Sequence, residues 1–235
     1  MPTYKAPVGD VMFLLSDVFH IDRYNNLPGF ADATPDLLEA VLEETAKFCE
    51  DVLTPLNRVG DKEGCKRHAD GSVTTPTGFK DAYKRLIEGG WIGASAPAEF
   101  GGQGLPMALT QSIGEFLCSA NMAFAMYPGL TQGASAAIFV HGSAEQKALY
   151  LPKLVSGQWT GTMNLTEPQC GTDLGLVRTR AAPQADGSYK ITGTKIFISA
   201  GEHDLAENII HLVLARIEGA PEGVKGCLLY TSRCV

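Results

Sequence analysis

Hydrophobic positions recur at helical spacing through most of the first 155 residues. Apolar side chains at 11, 12, 14, 15, 18 and 19 predict a short amphipathic helix over Val11 to Phe19. Thr34 stands where a helix cap belongs, with Pro35 at the first helical position and Asp36 and Glu39 in the first turn. Leu37, Leu38, Val41, Leu42, Thr45, Phe48, Cys49, Val52 and Leu53 then form one apolar face, and the helix is expected to end before Pro55. A third helix is predicted from about Gly78 to Glu88, stopped by Gly89-Gly90. A glycine- and proline-rich loop fills Trp91 to Pro106. Two apolar helices follow, about Met107 to Ala123 and Leu130 to His141, and Ser143-Ala144-Glu145-Gln146 opens another as a capping box, closed by Gly157.

After Gly157 the pattern changes. Short stretches enriched in β-branched and aromatic residues predict strands at Trp159 to Leu165, Val177 to Ala182, Ser188 to Thr192, Lys195 to Ser199 and Ile209 to Ile217. Asp186-Gly187 is a hairpin turn between two of them. Helices followed by strands, without βαβ alternation, give an α+β multidomain class and argue against a Rossmann fold. There is no GxGxxG and no GxxxxGK[ST], so a P-loop is excluded. The expected organisation is an extension over 1–33, an all-α domain over 34–157, a partial β domain over 158–226 and an atypical tail over 227–235.

Composition narrows the function classes. The chain has 235 residues, 45% of them apolar, enough for a sizeable core. Its net charge of −7 argues against nucleic-acid or anionic-membrane binding, although one local basic spot would suffice for a polyanion such as coenzyme A. The six cysteines (49, 65, 118, 170, 227, 234) form no CxxC pair and no metal-like cluster with histidine. No signal-peptide pattern opens the chain, and no apolar run reaches the roughly 20 residues that span a bilayer. A cytoplasmic protein without membrane insertion is expected. In that compartment the Asn164-Leu165-Thr166 glycosylation triplet is chance.

Candidate chemistry concentrates in Leu165-Thr166-Glu167-Pro168-Gln169-Cys170-Gly171-Thr172-Asp173 and in Gly193-Thr194-Lys195-Ile196-Phe197-Ile198-Ser199. Hydroxyls, main-chain donors and a ring face could together hold a planar heteroaromatic cofactor. Each feature also has a plainer reading. Thr-Glu-Pro begins turns, Phe197 fits a core strand position, and Asp173 can cap a loop or helix. From the residues alone the inference stops at an α domain, a β domain and a polar loop between strands.

Four stretches, in order, resemble the acyl-CoA dehydrogenase family. They are Gly89-Gly90-Trp91-Ile92-Gly93 with Pro97-Ala98-Glu99-Phe100-Gly101-Gly102-Gln103-Gly104; Gly142 to Lys147 through Tyr150-Leu151-Pro152-Lys153-Leu154; the Thr166 loop; and Lys195 to Ser199. Tyr4-Lys5-Ala6-Pro7 through Phe13-Leu14-Leu15, with Gly201-Glu202-His203-Asp204, is similar to a larger branch that includes 3-methylmercaptopropionyl-CoA dehydrogenase-like proteins. The resemblance covers the chain to about Gly226.

The resemblance implies a helical N-terminal domain, a middle β-barrel domain (expected to be truncated here) and a C-terminal helical bundle (expected to be absent from this chain), assembled as a homodimer or homotetramer. It implies FAD, with Met163, Leu165 and Thr166 touching the flavin by backbone and hydroxyl, Phe197 at the aromatic packing position and Ser199 at the following hydroxyl position. Gly171 and Thr172 would line the acyl-CoA route, with Thr172 in place of the commoner serine. Gln169-Cys170 departs from the usual small Gly-Ala pair and is expected to reshape the thioester pocket; a Cys170 thiol is read as buried and inert. The implied reaction is α,β-dehydrogenation of an acyl-CoA, the α-proton leaving to a glutamate and electrons passing to electron-transfer flavoprotein. That glutamate belongs to the C-terminal bundle, so no catalytic residue is assigned, neither Glu167 nor Glu202. The tail Cys227 to Val235 does not match the apolar strand expected there, and a truncated or frameshifted reading is the working hypothesis. The polypeptide alone is then expected to be inactive, and turnover by it would refute this. Two rival classes stand beside this one: a non-catalytic acyl-CoA-binding remnant, shown by binding without flavin reduction, and a flavin oxidase or monooxygenase of the same fold, shown by oxygen consumption.

Overall fold

The structure, a computed structural model, describes residues 3–221 together with the main chain of 227–233. Helices come first. α1 (Val8–Phe13) continues into a wide π turn, Leu14–Val18, burying Val11 and Leu15 while Phe13 and Phe19 stay exposed. α2 (Pro35–Phe48) starts where its cap predicts, the Thr34 hydroxyl accepting from the Leu37 N–H at 3.3 Å. It does not end at Pro55. A π turn over Cys49–Leu53 leads straight into α3 (Thr54–Glu63). Proline costs nothing at a first-turn position, where its missing N–H is not needed. The Thr54 hydroxyl donates to the Cys49 carbonyl at 2.9 Å across the wide turn.

A hairpin, β1 (Lys66–Arg67) with β2 (Val73–Thr74), precedes α4 (Phe79–Glu88), which stops at Gly89-Gly90 as expected. α5 (Met107–His141) consists of two helical runs meeting at a kink, as two helices were expected, but without the gap expected between Ala123 and Leu130. Its break lies at Asn121 (φ −159°, ψ 88°), and Pro128 sits inside the second half. The Asn121 carbonyl oxygen accepts from the Phe124 N–H at 3.0 Å, so a buried side chain restarts the helix. α6 (Ala144–Val155) carries the full capping box, Ser143 with Gln146, and Gly157 closes it at φ +73°.

Five strands follow: β3 (Trp159–Asn164), β4 (Arg180–Pro183), β5 (Tyr189–Thr192), β6 (Asn208–Ile217) and β7 (Cys227–Arg233). They form one mixed sheet. β6 is its spine, pairing in parallel with β3 along Asn208–Val213 and with β4 at Arg216–Ile217, while β7 lies antiparallel along its other edge. β4 and β5 are the hairpin that Asp186-Gly187 predicts. The stretch read as an atypical tail therefore contributes a strand, since Leu228 to Thr231 has ordinary β propensity and β6 offers a free edge. Residues 222–226, 234 and 235, which include Gly226 and Cys234, lie outside the described residues.

One core fills the space among the helices, around Leu38, Leu42, Tyr83, Phe116 and Phe124. A second joins α5 and α6 to the sheet through Ala134, Ile138, Leu154, Trp159 and Ile210. Its tightest point is Gly161, where a β-carbon would stand 2.5 Å from that of Ala134. The Thr131 hydroxyl accepts from the Gly161 N–H at 3.1 Å, fixing the sheet on α5. The architecture is the expected α+β order, a helical part followed by a curled sheet.

Candidate functional site

The two faces of β3 divide the labour. Trp159, Gly161 and Met163 turn toward α5 and α6, whereas Thr160, Thr162 and Asn164 turn the other way, as strand alternation requires. That second row grips the segment from Ser199 to His211. The Thr160 hydroxyl pairs with His203 Nε2 at 3.0 Å, Thr162 donates to the Ser199 carbonyl at 2.7 Å, and Asn164 pairs with His211 Nδ1 at 2.9 Å.

Residues 162–166 and 195–199 thus lie side by side. The Ile196 N–H donates to the Thr166 carbonyl at 2.9 Å, and Lys195 Nζ donates to the Leu165 carbonyl at 2.9 Å. The expected strand over Lys195 to Ser199 does not form. Phe197 and Ala200 adopt left-handed backbone (φ +56° and +53°), and the segment's bonds go to β3 and the Thr166 loop instead of a ladder partner. Phe197 is not a core residue either: 89% of it is exposed. The chain enters this segment at Gly193, where a β-carbon would meet the Thr179 hydroxyl at 2.3 Å.

Of the residues singled out from the sequence, Met163, Leu165, Thr166, Phe197 and Ser199 come together at this junction. Met163 packs its side chain on the α5–β3 core, so only its main chain faces the site. The Thr166 and Ser199 hydroxyls bond to nothing else among the described residues. Gly171 folds back over Thr166, its ideal β-carbon position 3.4 Å from the threonine methyl, while Thr172 is exposed beyond it. Asp173 takes the plainer of its readings and caps a short 3-10 turn by accepting from the Gly175 N–H at 3.0 Å.

Glu167 is the electrostatic centre of the loop. It is 3% exposed and accepts from Lys195 Nζ (2.9 Å), the Arg178 N–H (2.8 Å), the Thr179 N–H (3.0 Å) and the Gln169 amide. Burial pushes its pKa upward, but Thr179, Lys195 and the two main-chain donors outweigh that and hold it at about 2. A carboxylate so occupied is not a free base. Glu167 and Cys170 exchange main-chain bonds across the Pro168-Gln169 turn. Gln169 bends back to Glu167 and the Leu176 carbonyl, and Cys170 is buried. These two larger side chains build the turn rather than project from it. Residue patterning missed the roles of Lys195 and Glu167. The available signal was a basic residue two places before the aromatic and an acid one place after the threonine.

Gly201 to Asp204 is a joint between the two halves. Asp204 accepts from the Thr75 N–H and hydroxyl at 3.1 and 2.7 Å and from Lys80 at 3.2 Å. His203 Nδ1 accepts from the Leu205 N–H at 3.2 Å, so Nε2 carries the proton and donates to Thr160; the ring also meets the Tyr127 edge at 5.0 Å. Burial, reinforced by His211 and opposed by Asp204, pushes the His203 pKa down to about 4. The unfolded chain therefore binds a proton that the fold refuses, and stability is full above about pH 6.5 and falls as the pH drops toward 4. At pH 5 the expected loss is about 2 kcal/mol relative to pH 7, read as a lower urea midpoint. Equal midpoints at the two values, or a drop unchanged in a His203→Gln variant, would contradict it.

Beside the junction opens a cavity of about 490 Å³ lined by Cys65, Tyr127, Asn164, Lys195, Glu202 and His211, among others. A separate, mainly apolar hollow of about 230 Å³ between the 92–100 loop, α5 and α6 holds none of these residues. Among the described residues no three metal-ligating side chains converge, and no helix is long and apolar enough to cross a membrane.

Residues 35–158 match the acyl-CoA dehydrogenase N-terminal domain. Over 228 residues the chain is 49% identical to a 3-methylmercaptopropionyl-CoA dehydrogenase of Ruegeria pomeroyi, covering 97% of this chain and 39% of that protein. It is 38% identical over 232 residues to a butyryl-CoA dehydrogenase of Syntrophomonas wolfei, covering 96% and 38%. The solved acyl-CoA dehydrogenase of Bacillus anthracis, complexed with FAD, superposes with a TM-score of 0.66 at 26% identity over 84% of this chain and 31% of that one. The chain thus spans less than two fifths of the length of these curated relatives. The matched domain takes in more than half of the chain and the fold agrees, so this chain belongs to the acyl-CoA dehydrogenase family.

Proposed function

We propose that this chain supplies the flavin-facing portion of an FAD-dependent acyl-CoA dehydrogenase that desaturates an acyl-CoA thioester between its α and β carbons and passes the electrons to electron-transfer flavoprotein. The observation that carries this reading is Phe197, a ring 89% exposed on left-handed backbone, near the Thr166 and Ser199 hydroxyls, which have no partner among the described residues. An apolar ring held out in this way lacks a partner surface, and a planar heteroaromatic fits it. Phe197 would lie against the flavin, Thr166 and Ser199 would offer hydroxyls to its polar edge, and Met163 and Leu165 would contribute main chain. When bound, FAD supplies the hydride acceptor.

Gly171 and Thr172, on the open rim, would border the thioester's path. A flavin hydroxyl and backbone donors would polarise the thioester carbonyl and so acidify the α-proton. Glu167, held by four donors, is not available as the base, and no residue is assigned that role. A homodimer or homotetramer in the cytoplasm is the proposed setting. Titration of the chain with FAD, followed by flavin fluorescence, is expected to show binding that weakens at least tenfold in Phe197→Asp. Binding indifferent to both Phe197→Asp and Ser199→Ala would remove the site. Oxygen consumption with acyl-CoA would favour an oxidase instead.

A further inference from the structure

Lys195 lies just before the flavin-facing ring, yet its own side chain points inward. It is 9% exposed, and its ammonium group spends two of its three donors on different kinds of acceptor: the Leu165 carbonyl and Glu167 Oε1, both at 2.9 Å. A lysine serving only as a counter-ion would need the second contact alone. The first has a geometric consequence. The peptide between Leu165 and Thr166 is planar and trans, so its C=O and N–H point in opposite directions. Turning the Leu165 carbonyl in to Lys195 therefore turns the Thr166 N–H away from it. The next peptide is fixed similarly, its carbonyl held by the Ile196 N–H at 2.9 Å and its N–H, that of Glu167, donated to the Cys170 carbonyl at 2.8 Å.

We propose that Lys195 is a positioning residue of the cofactor face: its ammonium sets the Leu165–Thr166 peptide, and with it the direction of the Thr166 N–H and hydroxyl, while Glu167 keeps that ammonium charged and aimed. The inference rests on the flavin reading above for what the peptide faces, but the positioning itself stands on this chain's own bonds. Glu167 is suited to the supporting task. Two main-chain N–H groups, Arg178 and Thr179, fix it independently of Lys195, so it is a rigid anchor. Gln169 closes its remaining side. Gly193 lets the chain approach Thr179 closely enough for Lys195 to reach the anchor.

The test separates positioning from simple charge pairing. Lys195→Met alone strands the Glu167 charge, so the neutral pair Glu167→Gln with Lys195→Met is the informative variant, with Lys195→Arg as the rescue. Two readouts in the isotope-labelled chain need no cofactor: hydrogen exchange at the Ile196 amide and the Leu165 carbonyl carbon shift. In the neutral pair the urea midpoint is expected to return close to that of the unsubstituted chain. Ile196 exchange should still be at least tenfold faster and the Leu165 shift moved, with Lys195→Arg restoring part of both. FAD affinity should fall tenfold or more in the neutral pair. Were that pair to restore the midpoint, the Ile196 protection and the Leu165 shift together, Lys195 would be a counter-ion only and the proposal would be wrong. Failure of the unsubstituted chain to bind FAD would sink the flavin reading, and the exchange and shift data would still decide the role of Lys195.

Discussion

Glu167→Ala is expected to destabilise the sheet half of the molecule by about 3–5 kcal/mol, the range for removing one partner of a buried ion pair. The carboxylate's departure leaves the Lys195 ammonium, 9% exposed, without its counter-charge. It also leaves the Arg178 and Thr179 N–H groups without acceptors. Each of those unsatisfied donors adds to the loss, because water cannot reach them easily. Urea unfolding followed by tryptophan fluorescence would measure it, since Trp159 is buried in the α5–β3 core. Glu167→Gln should cost less, because an amide oxygen still accepts. The pH dependence has a definite sign. The folded carboxyl sits near 2 and the free one near 4.5, so its contribution is intact above about pH 4.5 and disappears as pH falls toward 2. A Glu167→Ala variant within 1 kcal/mol of the parent would mean that the burial and bonding described for this residue are not those of the protein in solution.

Asn121→Ala is expected to cost about 2–4 kcal/mol, from two buried partners left unsatisfied and a small cavity. The side chain is 1% exposed; its amide donates to the Leu53 carbonyl at 3.2 Å, and its oxygen accepts from the Phe124 N–H at 3.0 Å. Leu53 ends the π turn between α2 and α3, so one amide ties together the two irregular points of the helical core. The effect should reach the candidate site. The second half of α5 carries Thr131 and Ala134 against Gly161, and any change in its direction moves β3 and the Thr166 loop with it. Thermal or urea unfolding gives the stability loss, and the exchange rate of the Gly161 amide, donated to Thr131, reports the displacement. An unchanged Gly161 amide in a destabilised variant would confine the role of Asn121 to the helical core.

The starts and stops of the elements were legible from local chemistry. Thr34 caps α2, Ser143 with Gln146 caps α6, Gly157 ends it, and Asp186-Gly187 turns the β4–β5 hairpin. Each depends on groups within a few residues of one another, so the necessary partners are present in the sequence window itself. A breaker misled where the helix changed geometry around it. Pro55 read as an end, yet a π turn carries α2 into α3 around it. The break in α5 lies at Asn121, whose side chain bonds Leu53 68 residues away.

The candidate site divides in the same way. Its residue types and their order were visible in the Thr166 loop and the Lys195 to Ser199 segment, and so was the family they resemble. Periodicity nonetheless assigned a strand to that segment and a core position to Phe197, because alternation records side-chain faces and not the partner that satisfies the backbone. The partner proved to be β3, through Thr162, and the Thr166 loop, through Lys195 and Ile196, leaving the ring in solvent. By itself the sequence determined the helix-then-strand order, the caps and turns and the membership of its loops in a recognisable set. Tertiary structure alone decided which peptide faces outward, which acid is locked in an ion pair and which ring is free. Those outcomes depend on hydrogen bonds and burial between residues about 30 or more positions apart, and no local pattern encodes such distances.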